Sequence, residues 1–197
     1  MAKRGASADF ALEDDAVDRL WRKAKKPDDR VLVGLTMMEG LRVGEAIHLK
    51  QDWVRTTGEH SEISIPAQME CGCWECSKRG GYRKPKSAAG VRIIPIVDTL
   101  QPHLLKFLGY QPYGLGYVRQ TGWRIIKGLA EEAGITYLSP HVLRATAATT
   151  FAKAGFTAQE LCYVMGWSRI EMGSHYIQIV QARAGVAAKM KGVYRGG

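Results

Sequence analysis

His141 and Arg144 stand three residues apart in SPHVLRATAATTFAKAG, and the Ser139-Pro140 pair before them reads as a helix start. An imidazole and a guanidinium then share one face of the first turn, beside unpaired backbone N–H groups and the positive end of the helix dipole. Such a place suits an anion, and the fork of a guanidinium suits a phosphate. The same face continues through Ala145, Ala148, Phe151 and Ala152, small or apolar residues that let the helix sit deep while its start stays open, until Gly155 ends it. A second helix from Thr157 to Met165 opens on a Thr157/Glu160 capping box and stops at Gly166. Trp167 follows at once, and Tyr176 comes nine residues later.

This run resembles the C-terminal motif of the tyrosine site-specific recombinases, the family of phage and archaeal integrases: His-x-x-Arg, Gly followed by His or Trp, then a nucleophilic Tyr. Here it reads His141, Arg144, Gly166-Trp167 and Tyr176, with 32 residues from Arg144 to Tyr176. The resemblance implies a further arginine in an Arg-x-x-Glu context, supplied by Arg42 and Glu45 in GLRVGEAIHL. It also implies a lysine on a β-hairpin before a strand ending Arg-x-x-Pro, supplied by Lys86 in KSAAGVRIIPI, with Lys84 two residues away.

The chemistry implied is cleavage of a phosphodiester by a phenol. Arg42 and Arg144 can each hold nonbridging phosphate oxygens bidentately, which a lysine cannot. Lys86 suits the general acid for the leaving 5′ oxygen, and His141 either donates to the phosphate or takes the proton of Tyr176. Trp167 has only its indole N–H to offer, so it hydrogen-bonds and packs. A 3′-phosphotyrosine intermediate would conserve the bond energy, so neither ATP nor a metal is required.

Length and charge are compatible with this. The 197 residues carry 46% hydrophobic side chains, enough for one large core, and Lys+Arg 28 against Asp+Glu 19 gives +9, a balance that favours a polyanionic partner. The start lacks the apolar stretch of a signal peptide, and no run of 18 apolar residues occurs, so a cytoplasmic, DNA-associated protein of prokaryotic or viral type is expected, with no membrane partner.

The expected architecture is α+β, mainly α with a small antiparallel β-sheet, as in the catalytic domain of the family. Residues 1–11 read as an N-terminal arm, 12–180 as the catalytic domain and 181–197 as a tail that resembles a segment docking between subunits. Helices are expected from Glu13 to Lys26, from Asp29 through VLVGL, from Arg42 to Leu49, from Asp98 as N-cap to Leu108, and from Tyr117 to Ala133 with Ile125, Leu129 and Ala133 inward. Strands are expected at 52–57, 61–66 and 91–97, the last at an edge because of Pro95. Another helix is expected after Tyr176.

Residues 67–90 form an insertion rich in Cys, Gly, Lys and Arg, whose basic stretch at 78–86 reads as a phosphate-contacting loop. Cys71, Cys73 and Cys76 are too crowded to pair with one another, and their spacing suits either a reduced, mobile loop or a structural zinc completed by His60 or a fourth cysteine; Cys162 is expected to be buried in its helix.

Double-stranded DNA is the expected partner, with a homotetramer forming on it. The family's preceding core-binding domain has no room before Arg42, so the sequence reads as a piece of a longer protein or as a minimal recombinase that borrows the missing half. A type IB topoisomerase and a non-catalytic DNA-binding regulator on the same fold are the rival readings.

Overall fold

Seven consecutive residues from Val31 to Met37 are buried, so after its first turn the helix that carries them has no solvent face and the core is built around it. In the computed structural model, which describes residues 11–78, 80–85, 87–191 and 193, this is α2 (Pro27–Met37), preceded by α1 (Asp14–Lys23) and followed by the short α3 (Val43–Ala46). A 3-10 turn at Gln51–Trp53 leads into β1 (Val54–Thr57) and β2 (His60–Ile65); the insertion contributes β3 (Met69–Glu70), α4 (Trp74–Ser77) and β4 (Tyr82–Arg83). After a turn at Ala88–Gly90 come β5 (Arg92–Pro95), α5 (Gln101–Tyr110), α6 (Arg119–Glu132), α7 (Pro140–Lys153), α8 (Ala158–Met165) and α9 (Ile170–Met190).

The mainly helical class with a small antiparallel sheet is as expected. The sheet runs β1-β2-β5, in register Val54↔Ile63 and Ile63↔Ile94, and β5 lies at an edge, where the missing N–H of Pro95 is tolerated. Gly58 takes φ 62° in the hairpin turn, a conformation other residues adopt only with strain. β3 and β4 form a separate two-stranded hairpin inside the insertion.

Several boundaries differ from expectation. Pro27 opens α2 at its first turn, two residues ahead of Asp29, where its missing N–H would have no partner anyway, and α1 stops at Lys23, short of Lys26. The segment after Arg42 is regular only to Ala46. Asp98 is not a cap: the N-cap of α5 is Leu100, because Pro102 must fall in the first turn. The buried side of α6 is Gly122, Ile126, Leu129 and Ala130, with Ile125 at its margin; Gly122 lets α6 approach α3 closely, a Cβ there falling 3.3 Å from Ile47 Cγ2. Tyr176 lies inside the last helix rather than ahead of it.

One core gathers Leu32, Leu35, Ile63, Ile94, Leu104, Phe107 and Ile126; burial of each such side chain is worth roughly 1.5–3 kcal/mol. A smaller cluster joins Ala145, Ala148, Ala152, Leu161, Met165 and Tyr176, packed by Phe151, Phe156 and Trp167. Between the sheet edge and these helices runs an apolar groove of about 720 Å³ lined by Glu39, Ile96, Phe151, Phe156, Tyr163 and Val164.

Glu39 is 1% exposed and Oε1 accepts the Val97 N–H at 2.7 Å. Burial pushes its carboxyl from 4.5 up to about 7. The folded state then holds more protons than the unfolded one between those values, so this group makes stability fall as pH rises through that window. Glu39→Gln keeps the acceptor and removes the ionisation. It is expected to flatten the slope between pH 5 and 8 and to stabilise at pH 8 by about 1–3 kcal/mol, read from urea midpoints at the two pH values.

Candidate active site

The site is assembled on the C-terminal end of α8. Gly166 adopts φ 62° there, the left-handed cap that lets its own N–H reach Tyr163 O at 3.2 Å and the Trp167 N–H reach Cys162 O at 2.9 Å. The next carbonyls along the chain would be orphans. Instead three arginines take them in succession. Arg92 Nε donates to Val164 O at 2.8 Å, Arg144 Nη2 donates to Met165 O, and Arg42 Nη2 donates to Gly166 O at 3.2 Å. The negative end of the helix dipole favours all three charges.

Each guanidinium has a second tether. Arg144 Nη1 donates to Gly40 O, and Arg92 Nη1 donates to Gly90 O at 2.8 Å. Arg42 is the N-cap of α3, and its Nη1 lies 2.7 Å from Glu45 Oε1, while Glu45 Oε2 lies 3.1 Å from Arg92 Nη2. Two guanidiniums therefore share one carboxylate while the third, Arg144, is held by carbonyls alone, leaving an excess of positive charge that an incoming phosphate can meet. Burial is the largest influence on Glu45 and pushes its carboxyl up, but Arg92, Arg42 and Arg144 outweigh it and hold the group below its ordinary value. Burial first, then Arg42 and Arg92, push Arg144 down to about 9, against Glu45 and Tyr176, so it remains charged at neutral pH.

Tyr176 is thus close enough to act on Arg144 electrostatically. Its ring is 5% exposed and stacks on Trp167, centroids 5.2 Å apart at 16°, with His175 edge-on at 5.9 Å. Gly173, one turn earlier on α9, meets α8 backbone to backbone: a Cβ there would fall 2.4 Å from Ala158 O.

Of the residues expected from sequence, Arg42, Arg144, Trp167 and Tyr176 come together. His141 is exposed at the second residue of α7, behind the Ser139 cap whose Oγ accepts the Val142 N–H at 3.3 Å. Lys86 lies outside the described residues, although the turn after it reaches the site through Gly90 and through Ala89 O, which sits 3.0 Å from where a Gly166 Cβ would be. Arg92 was missed as a site residue. The signal was an arginine at the inward register of a strand, in phase with Ile94, and 4% exposed.

Gly166→Ala is expected to lose at least about 1–2 kcal/mol from the left-handed backbone alone, and more because the new methyl meets Arg92 Nη1 at 3.0 Å. Thermal unfolding reads the effect.

The cysteines converge as well, but with a different partner. His48, Cys71, Cys73 and Cys76 place their ligand atoms within 4.8 Å of one another and could hold a metal ion. His60 does not take part and is exposed at the start of β2. Cys162 is only half-buried, its Sγ donating to Arg169 O at 3.2 Å.

The Phage integrase family model matches residues 113–183, the stretch that contains His141, Arg144, Trp167 and Tyr176. The tyrosine recombinase XerD of Oceanobacillus iheyensis is 25% identical over 194 residues, 87% of this chain and 58% of that protein. Over this stretch the chain is similar to tyrosine recombinases. Among solved structures, that of the XerA recombinase superposes with TM-score 0.70 at 21% identity, covering 93% of this chain and 64% of that one. The catalytic domain of bacteriophage HP1 integrase gives 0.60 at 20% identity, covering 95% and 98%. The XerH recombinase bound to its difH substrate, in a pre-cleavage complex, gives 0.64 at 15% identity, covering 91% and 53%. The chain spans little more than half the length of the curated relatives it matches. Among its described residues no helix is long and apolar enough to cross a membrane.

Proposed function

We propose that this chain is the strand-transfer domain of a site-specific DNA recombinase or integrase, acting in the cytoplasm on double-stranded DNA. The observation that carries this reading is the trio of guanidiniums fixed on consecutive α8 carbonyls around one carboxylate, with Tyr176 in electrostatic reach. Arg42 and Arg144 clamp the nonbridging oxygens of one phosphate. Arg92, held by Glu45 and two carbonyls, positions them.

Tyr176 Oη attacks phosphorus, its proton passing to His141; the bond to the 5′ oxygen breaks, and Lys86 protonates that oxygen. The new 3′-phosphotyrosine is a diester, so a second 5′ hydroxyl can reverse the step and join another strand. With 5% of Tyr176 exposed, the first turns of α9 must shift when DNA arrives. The exposed bases Arg119, Arg124 and Lys127 of α6, and Lys78 over the Trp74 ring at 3.7 Å, face the backbone phosphates. Residues 12–180 make up the catalytic unit, and the exposed second half of α9, from 181 to 191, docks on a neighbouring copy in a tetramer, with the apolar groove as its seat.

A nicked suicide duplex tests the reading. Incubated with the protein, DNA fragments of the genome of origin should give an SDS-resistant adduct mapped by peptide analysis to Tyr176. DNA binding with no adduct on any duplex would make the chain a regulator on the same fold, and relaxation of supercoils without recombinant products would make it a topoisomerase.

A further inference from the structure

The insertion between β2 and β5 has its own small set of soft donors, and the strand-transfer chemistry uses none of them. Cys71 and Cys73 flank a glycine, Cys76 follows in α4, and the polypeptide closes around them through the Cys71 N–H to Gly81 O at 3.0 Å and the Gly81 N–H to Cys76 O at 2.8 Å. Gly80 and Gly81 both take φ 82°, which other residues adopt only with strain. The fourth donor comes from far along the chain. His48 Nε2 lies 3.2 Å from Cys76 Sγ and 3.9 Å from Cys73 Sγ.

We infer that His48, Cys71, Cys73 and Cys76 form a structural zinc site that fastens the insertion to the turn following α3. Four features support it. The edge of a tetrahedron with zinc–sulfur bonds of about 2.3 Å is roughly 3.7 Å, and the four donor atoms lie at that scale, all within 4.8 Å of one another. His48 Nδ1 is 2.6 Å from Gly44 O, and since a carbonyl only accepts, Nδ1 carries the proton and Nε2 presents its lone pair to the sulfurs. The Cys73 N–H donates to Cys71 Sγ at 3.3 Å, as a backbone amide does toward a thiolate that needs its charge spread. Three thiolates and an imidazole are soft and borderline donors that select zinc over magnesium or calcium, and four protein ligands leave no open position for catalysis. His48 is 4% exposed and Cys76 2%, whereas Cys71 and Cys73 are half-buried, so the cluster sits where the insertion meets the segment just after α3.

The consequence is mechanical. The same short turn holds Arg42 at its start and His48 just past its end, so the metal braces the site's arginine against the insertion.

Metal content decides this without DNA or any measure of strand transfer. After dialysis against metal-free buffer, elemental analysis of the full chain is expected to find one zinc per chain. Co²⁺ put in its place should give ligand-field bands of a tetrahedral ion and sulfur-to-metal charge transfer. His48→Ala and Cys71→Ser should each weaken zinc binding about 100-fold or more, whereas His48→Cys should retain a full equivalent. Removal of the metal by a chelator should open the 71–81 stretch to limited proteolysis while the helical circular dichroism stays near its starting value. Zinc well below one per chain together with no Co²⁺ spectrum would overturn the site. Wild-type zinc affinity in His48→Ala would overturn the fourth ligand, and if that variant fails to fold, Cys71→Ser, at a half-buried position, carries the same test.

Discussion

Replacing Tyr176 with phenylalanine is expected to leave the protein folded and bound to DNA while reducing the covalent adduct to background. The substitution removes a single oxygen from a ring whose stack on Trp167 and packing against Ala148, Leu161 and Met165 are unaffected. Stability should therefore change by no more than about 1 kcal/mol, read from the urea midpoint. Trp167, the ring on which Tyr176 stacks, offers only an indole N–H and cannot take over the attack. A gel shift and an SDS gel on the same nicked duplex separate binding from cleavage. Persistence of the adduct in Tyr176→Phe would move the nucleophile elsewhere and undo the assignment of the site.

Arg144→Ala should be nearly as severe, by another route. A guanidinium aimed at the charge that develops on the phosphate is worth about as much as a strong oxyanion donor, so single-turnover cleavage should fall about 10²–10³-fold. The same change strands the carbonyls of Gly40 and Met165, each costing about 1–3 kcal/mol if water cannot reach it. Arg144→Lys separates the two contributions. Lysine keeps the charge but lacks the fork needed to hold both carbonyls and still face a phosphate, so it should recover part of the stability and little of the rate. Cleavage by Arg144→Ala within a few-fold of wild type, in a protein still folded, would remove Arg144 from the chemistry.

The helical half of the site could be read in advance because its punctuation is local. Ser139-Pro140, the Thr157/Glu160 box and Gly166 each act within a few residues of themselves, and α7 and α8 begin and end where those signals stand. The association of Arg42 with Arg144 followed from family spacing, not from any local rule. What escaped was set by partners distant in the chain. Arg92 looks like an exposed strand residue until β5 pairs with β2 and the register turns it inward. His48 reads as a helix-end residue, and nothing beside it hints that a loop starting 23 positions on will fold back over it. His60, nearer to the cysteines in sequence, stands exposed at the first residue of β2, a strand length before the insertion, and is not in the cluster. The early start of α2 and late start of α5 were both decided by a proline, whose missing N–H is tolerated only in the opening turn.

Because Val164, Met165 and Gly166 each hold a different arginine, the three charges move as one piece with the end of their shared helix. That helix also forms a wall of the apolar groove, where Tyr163 and Val164 stand opposite Glu39, itself next to the Gly40 carbonyl that tethers Arg144. Whatever settles into the groove leans on both supports of the guanidinium trio at once.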